Sequence, residues 1–146
     1  MKDFLETTEG NVVYYGYIEK FIERLGERFN IREIAFDRWG SVQMAQNLEG
    51  MGFTVVPFGQ GFRDMSPPTK ELMKLTLAHG GHPVLRWMMD NIYIRTDLAG
   101  SIKADKEKST EKIDEAVATI MALDHTIRCG NNTGASVYDE RGILFI

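Results

Sequence analysis

With a single cysteine in its 146 residues, Cys129, the chain has no partner for an intramolecular disulfide, and one lone thiol suits a reducing compartment. The longest apolar run, residues 116–123, falls far short of the roughly 20 residues that span a bilayer. The opening MKDFLETTEG lacks the apolar centre of a signal peptide. A cytoplasmic location with no membrane partner is therefore expected. No phosphate-cradling loop ending in Gly-Lys-Ser or Gly-Lys-Thr is present, which argues against ATP hydrolysis. No serine or cysteine sits in a nucleophile-elbow setting. Basic residues do not predominate: 17 Lys and Arg stand against 21 Asp and Glu, a formal charge of -4. No global positive field advertises nucleic acid, so any such contact needs local clusters of lysine and arginine.

What is there reads as one soluble α/β domain. Apolar residues make up 43% and charged residues 26%, an ordinary balance for a globular chain. Its length suits one domain with a sizeable core. Residues 105–129 organise the rest, with Ile113, Ala116, Val117, Ile120, Leu123 and Ile127 falling at helical spacings of three and four. Ser109 or Thr110 is the expected N-cap.

Upstream, residues 1–10 are expected to be a poorly ordered leader and residues 11–15 a short β-prone run. A helix is predicted over 17–29, a strand over 31–36, a helix from Gly40 that buries Val42, Met44, Ala45 and Leu48, and a strand over 53–56 broken by Pro57. That alternation favours a parallel pair of strands with helical crossovers. Residues 59–68 read as a loop, and Ser66-Pro67-Pro68 as the entry to a helix over 69–78 packing Leu72, Met73, Leu75 and Leu77. A short helix over 84–89, a strand over 91–96 and a pairing strand over 102–104 complete the predicted domain, 11–129. Residues 130–146 are expected to form a joint and tail.

Two carboxylates stand out by position. Asp37 ends a predicted strand, where open α/β sheets tend to bind ligands. Asp114 begins the carboxyl helix, just after Lys106, Lys108 and Lys112. Two such acids can share Mg²⁺ or Mn²⁺, which prefer oxygen ligands. The structural alternatives are an N-terminal cap for Asp37 and a favourable helix-dipole position for Asp114. His79 and His82 form an H-x-x-H pair with no Cys or acidic partner at useful spacing. His125 and Cys129 stand four apart on one helix, a spacing that reads as incidental.

The segments FDRWG, FGQGF with MSPPTKELMKL, and KADKEKSTEKID resemble the carboxyl-terminal nuclease part of tailed-bacteriophage terminase large subunits. The likeness runs from about Thr8 through the tail SVYDERGILFI. It implies an RNase H-like fold and a metal-dependent DNA endonuclease, a hydrolase that cuts concatemeric viral DNA during packaging. It also implies three acids around two divalent ions, Mg²⁺ or Mn²⁺. Asp37 matches the second acid and Asp114 the third; the first belongs to an opening strand upstream of these residues. Relatives often carry a small residue after the third acid, where this chain has Glu115. Asp97, Asp105 and Glu115 are possible stand-ins for the first acid. Arg38, Lys106, Lys108 and Lys112 are expected to contact phosphate. The implied partners are double-stranded DNA and, in the intact family, the terminase small subunit and portal. Without its opening strands the domain would lack part of its sheet, so self-association is expected to cover the gap. The alternative is a phage- or prophage-encoded remnant that folds and associates without cutting.

Overall fold

A computed structural model describes residues 10, 13–38, 42–75 and 81–129. Residues 1–9 of the predicted leader, the tail, Gly40, Leu77 and His79 lie outside them. In chain order the elements are α1 (Tyr15–Arg28), β1 (Ile34–Asp37), α2 (Val42–Gly50), β2 (Val55–Phe58), α3 (Phe62–Lys74), α4 (Pro83–Asp90), β3 (Ile94–Thr96), β4 (Ile102–Ala104) and α5 (Asp114–Cys129). β1 and β2 pair in parallel, Ile34 opposite Val55 and Asp37 opposite Phe58, with α2 as the crossover. β3 and β4 form a separate antiparallel pair, Arg95 opposite Lys103. The predicted parallel pair, the hairpin and the carboxyl helix are all present.

α5 is the centre of the core. Its Ala116, Val117, Ile120 and Met121, with Ile113 just before it, pack on Met65 of α3, Phe58 of β2 and Ala104 of β4. Ala35, Leu72, Met88, Met89 and Ile92 close the margins. Apolar positions at spacings of three and four make this possible, because they keep one stripe of the helix turned inward. The stripe fades toward the end of the helix: Leu123 is half-buried and Ile127 is exposed.

Several expectations are corrected. The carboxyl helix starts at Asp114, not after Ser109 or Thr110. Ser109 instead closes a turn on Asp105, donating its hydroxyl to the Asp105 carbonyl at 2.7 Å, and Thr110 Oγ1 donates to Asn91 Oδ1. α3 begins at Phe62 and carries Pro67 and Pro68 inside it. A proline in a helix interior costs about 3 kcal/mol. Here that cost is offset by burying Met65, Ser66, Pro68 and Thr69, which share one helical face. Met73 and Leu75, expected inside, are exposed, Met73 in the last turn of the helix and Leu75 just past its end.

β2 runs through Pro57 rather than stopping at it. A strand with one open edge can hold a proline whose missing N–H lies away from the ladder. Val42 is exposed, while Ala45 and Leu48 are buried as expected. Of the β-prone run, Val13 and Tyr14 are not in a strand and Tyr15 already belongs to α1. α1 buries none of its residues fully and leaves Tyr15, Tyr17, Ile18 and Phe21 exposed.

Candidate active site at the carboxyl edge of the parallel strands

Asp37 is the last residue of β1 and Asp114 the first of α5. Near the other end of α5, His125 Nδ1 lies 2.6 Å from Oε2 of Glu33, the residue before β1, and the helix packs against β1.

Each acid is held by one neighbour that also faces a common cleft. Gln60, just past β2, donates from Nε2 to Asp37 Oδ2 at 3.0 Å. Lys106 Nζ pairs with Asp114 Oδ1 at 2.7 Å. Gln60 and Lys106 both line a cleft of about 220 Å³ whose walls also include Arg95, Lys103 and Asp105. Lys103 Nζ donates to the Gln60 carbonyl at 3.3 Å. Arg95 and Lys103, facing each other across the hairpin, both lie over the Phe62 ring, at 6.0 and 5.4 Å from its centre. A shared aromatic face partly offsets the repulsion of two cations side by side.

The turn that carries Lys106 hangs on Asp105. Its Oδ1 accepts from the backbone N–H of Glu107 at 3.0 Å and of Lys108 at 3.3 Å. Its Oδ2 is buried without a hydrogen bond, 3.7 Å from Arg95 Nη1. This acid is committed to holding the turn. Asp97 likewise caps the hairpin turn, accepting from Ala99 and Ser101 N–H groups. Glu115 Oε1 faces His82 Nδ1 at 3.6 Å.

The other predicted phosphate contacts are spread out. Arg38 pairs with Asp64 at 3.3 Å, and Lys108 lies over the Tyr93 ring. Lys112 adds positive potential near Asp114. The reading from residues alone did not find Arg95, Lys103 or Gln60. Their signal is the two-residue alternation of a short hairpin, which puts Arg95 and Lys103 on one face, but three-residue strands give that pattern little weight.

The Lys106 ammonium, by its bond and its charge, holds the Asp114 carboxyl below its ordinary range, helped by Lys112 and opposed by partial desolvation. A depressed carboxyl contributes stability above its unfolded pKa and loses it as pH falls through the folded value. With 64% of the Asp114 side chain exposed, solvent screens that contribution. The Lys106→Ala variant is expected to raise the Asp114 pKa, followed by carboxyl-carbon NMR on acid titration. An unchanged midpoint would mean the pair does not persist in solution.

A parallel α/β pair with an acid at the end of β1, a helix that opens on a second acid and a cation-lined cleft bordered by a partner of each define an α/β domain with its candidate site at the strand edge. The family model for the terminase large subunit endonuclease domain matches residues 1–129, and the chain belongs to that family. It is 38% identical over 125 residues to the terminase large subunit of Enterobacteria phage HK97, covering 82% of this chain and 25% of that protein. It is 30% identical over 126 residues to protein YmfN of Escherichia coli K12, covering 82% of this chain and 28% of that protein. The crystal structure of the HK97 bacteriophage large terminase superposes with a TM-score of 0.75 at 36% identity, over 83% of this chain and 26% of that one. The chain thus spans about a quarter of the length of these relatives. No described helix is long and apolar enough to cross a membrane.

Proposed function

We propose that this chain carries part of a metal-dependent DNA endonuclease site, with Asp37 and Asp114 as metal-holding carboxylates and the adjoining cleft as a phosphate-binding wall. The observation that supports the reading is that Gln60, bonded to Asp37, and Lys106, bonded to Asp114, line one cleft together with Arg95 and Lys103.

The donor chemistry fits a hard cation. Mg²⁺ and Mn²⁺ take one or two carboxylates and fill the remaining positions with water and substrate phosphate. Such an ion, when bound, polarises a phosphoryl oxygen and lowers the pKa of a coordinated water. A pair of ions needs more acids than these two. Among the described residues, neither Asp37 nor Asp114 belongs to a cluster of three metal-ligating side chains. The chain's own residues have separate tasks. Gln60 orients the Asp37 carboxylate, Lys106 neutralises Asp114, and Arg95, Lys103, Arg38, Lys108 and Lys112 attract the backbone of double-stranded DNA without reading its sequence.

In this reading the activity belongs to genome packaging, alongside a terminase small subunit and a portal. Strong cutting requires a further carboxylate beyond these two. The exposed aromatic face of α1 favours such a contact, either with further chain of the same protein or with a second copy burying above roughly 1,000 Å² in total.

Supercoiled plasmid tests the site. With Mn²⁺ the unmodified chain is expected to nick faintly, and Asp37→Ala and Asp114→Ala each to reduce nicking by about a hundredfold, the scale on which small misplacements of reacting groups act. Equal nicking by all three proteins would overturn the assignment. No nicking by any of them would favour a non-catalytic remnant that acts through association alone.

A further inference from the structure

At the opposite end of α5 from Asp114, three side chains of a different chemistry converge. Glu33 Oε2, His125 Nδ1 and Cys129 Sγ each lie within 4.8 Å of the others. The carboxylate is 2.6 Å from the imidazole and 3.5 Å from the sulfur. His125 and Cys129 are one helical turn apart and so share a face of α5. Glu33 reaches that face because β1 starts beneath it. The contacts join residues 92 and 96 positions apart. Spacing within the helix suggested only an incidental pair; the third member comes from the residue just before β1, which sequence order does not bring near.

We propose that Glu33, His125 and Cys129 form a binding site for Zn²⁺ or a zinc-like ion, separate from the oxygen-rich acid site. The ligand types carry the choice of metal. Thiolate and imidazole select zinc and its neighbours over magnesium, calcium and manganese. Carboxylate, imidazole and thiolate are all established zinc donors, and three protein ligands leave a fourth tetrahedral position for water.

The geometry is near what such an ion needs. With metal bonds of about 2.0 Å to nitrogen and oxygen, tetrahedral donors stand about 3.3 Å apart, so Glu33 and His125 need separate by less than an ångström. The supports are also in place. The Phe58 ring lies against His125, centres 6.0 Å apart, which limits how far the imidazole can turn. Cys129 ends the helix with its side chain exposed, so an ion can reach the sulfur without opening the core. Such an ion would tie the last turn of α5 to the start of β1.

Cobalt titration of the tag-free chain is the direct test, because thiolate bound to Co²⁺ gives a charge-transfer absorption in the near ultraviolet. One equivalent is expected to bind with that band, and Zn²⁺ to displace it. Cys129→Ser is expected to abolish the band, and His125→Gln and Glu33→Gln to weaken binding at least tenfold. Asp37→Ala and Asp114→Ala should leave the band intact, which separates this site from the proposed nuclease site. At a hundredfold excess over Kd, Zn²⁺ is expected to raise the Tm by about 8 °C. Alkylation of Cys129 in the folded, unsubstituted chain should slow at least tenfold when Zn²⁺ is present, a reading that does not depend on any variant folding. Absence of a saturable band, undiminished binding in Cys129→Ser or Glu33→Gln, or alkylation indifferent to Zn²⁺ would overturn the proposal.

Discussion

Replacing Ile120 by alanine is expected to destabilise the domain by about 4 kcal/mol, within the range for truncating a fully buried isoleucine. Ile120 is 0% exposed and stands in the middle of the α5 stripe, with Ala116 on one side and Met121 on the other. Alanine there removes three carbons and leaves a cavity that the surrounding helices fill only in part. The whole stability of such a domain is about 5 to 15 kcal/mol, so the variant should have a markedly lower urea midpoint at unchanged slope. Leu98, fully exposed at 110% relative area, is the matched control: Leu98→Ala should shift stability by less than about 0.5 kcal/mol. A loss under about 1 kcal/mol for Ile120→Ala would mean that α5 is not the core helix.

Asp105→Ala is expected to cost about 3 kcal/mol, close to the core variant although no apolar contact is lost. The buried carboxylate takes the N–H groups of Glu107 and Lys108. Alanine leaves both donors without their partner, and a hydrogen bond to a charged group contributes about 1.5 to 3 kcal/mol. It also takes a countercharge from Arg95, which is half in solvent and so loses less. The same turn carries Lys106 to Asp114, so the variant should loosen the candidate site as well as the fold. Asp105→Asn separates the two effects. It retains an oxygen at the Oδ1 position and is expected to keep most of the turn while losing the Arg95 attraction. Denaturant melts of both variants, read beside plasmid nicking, give the comparison. If Asp105→Ala melts with the unmodified chain, the turn is held by Ser109 and the backbone alone.

The contrast between these residues explains how much of the architecture was legible in the sequence. Ile120 was legible because helical burial repeats at a fixed period, and its neighbours Ile113, Ala116 and Val117 obey the same spacing. The strand pair was legible for a similar reason, from apolar runs over 31–36 and 53–56, although the strands reach on to Asp37 and, through Pro57, to Phe58. Asp105 was not, because a turn-holding carboxylate looks like any acid in a lysine-rich segment until its donors are located. α3 defeated the reading for the opposite reason. Pro67 and Pro68 read locally as a helix entry, and only the burial of Met65, Ser66, Pro68 and Thr69 carries the helix back to Phe62. Asp37 and Asp114 were singled out by their places at element ends. That Gln60 and Lys106, the partners of these two acids, line one cleft depends on packing that no local pattern encodes.

The two sheets share no ladder, and this gives Gln60 a mechanical position. Its side-chain amide grips Asp37 at the end of one sheet, and its carbonyl takes Lys103 from the other. Gln60 is therefore a tie between the cation-bearing hairpin and the acid-bearing strand, and a substitution there acts on both sheets at once.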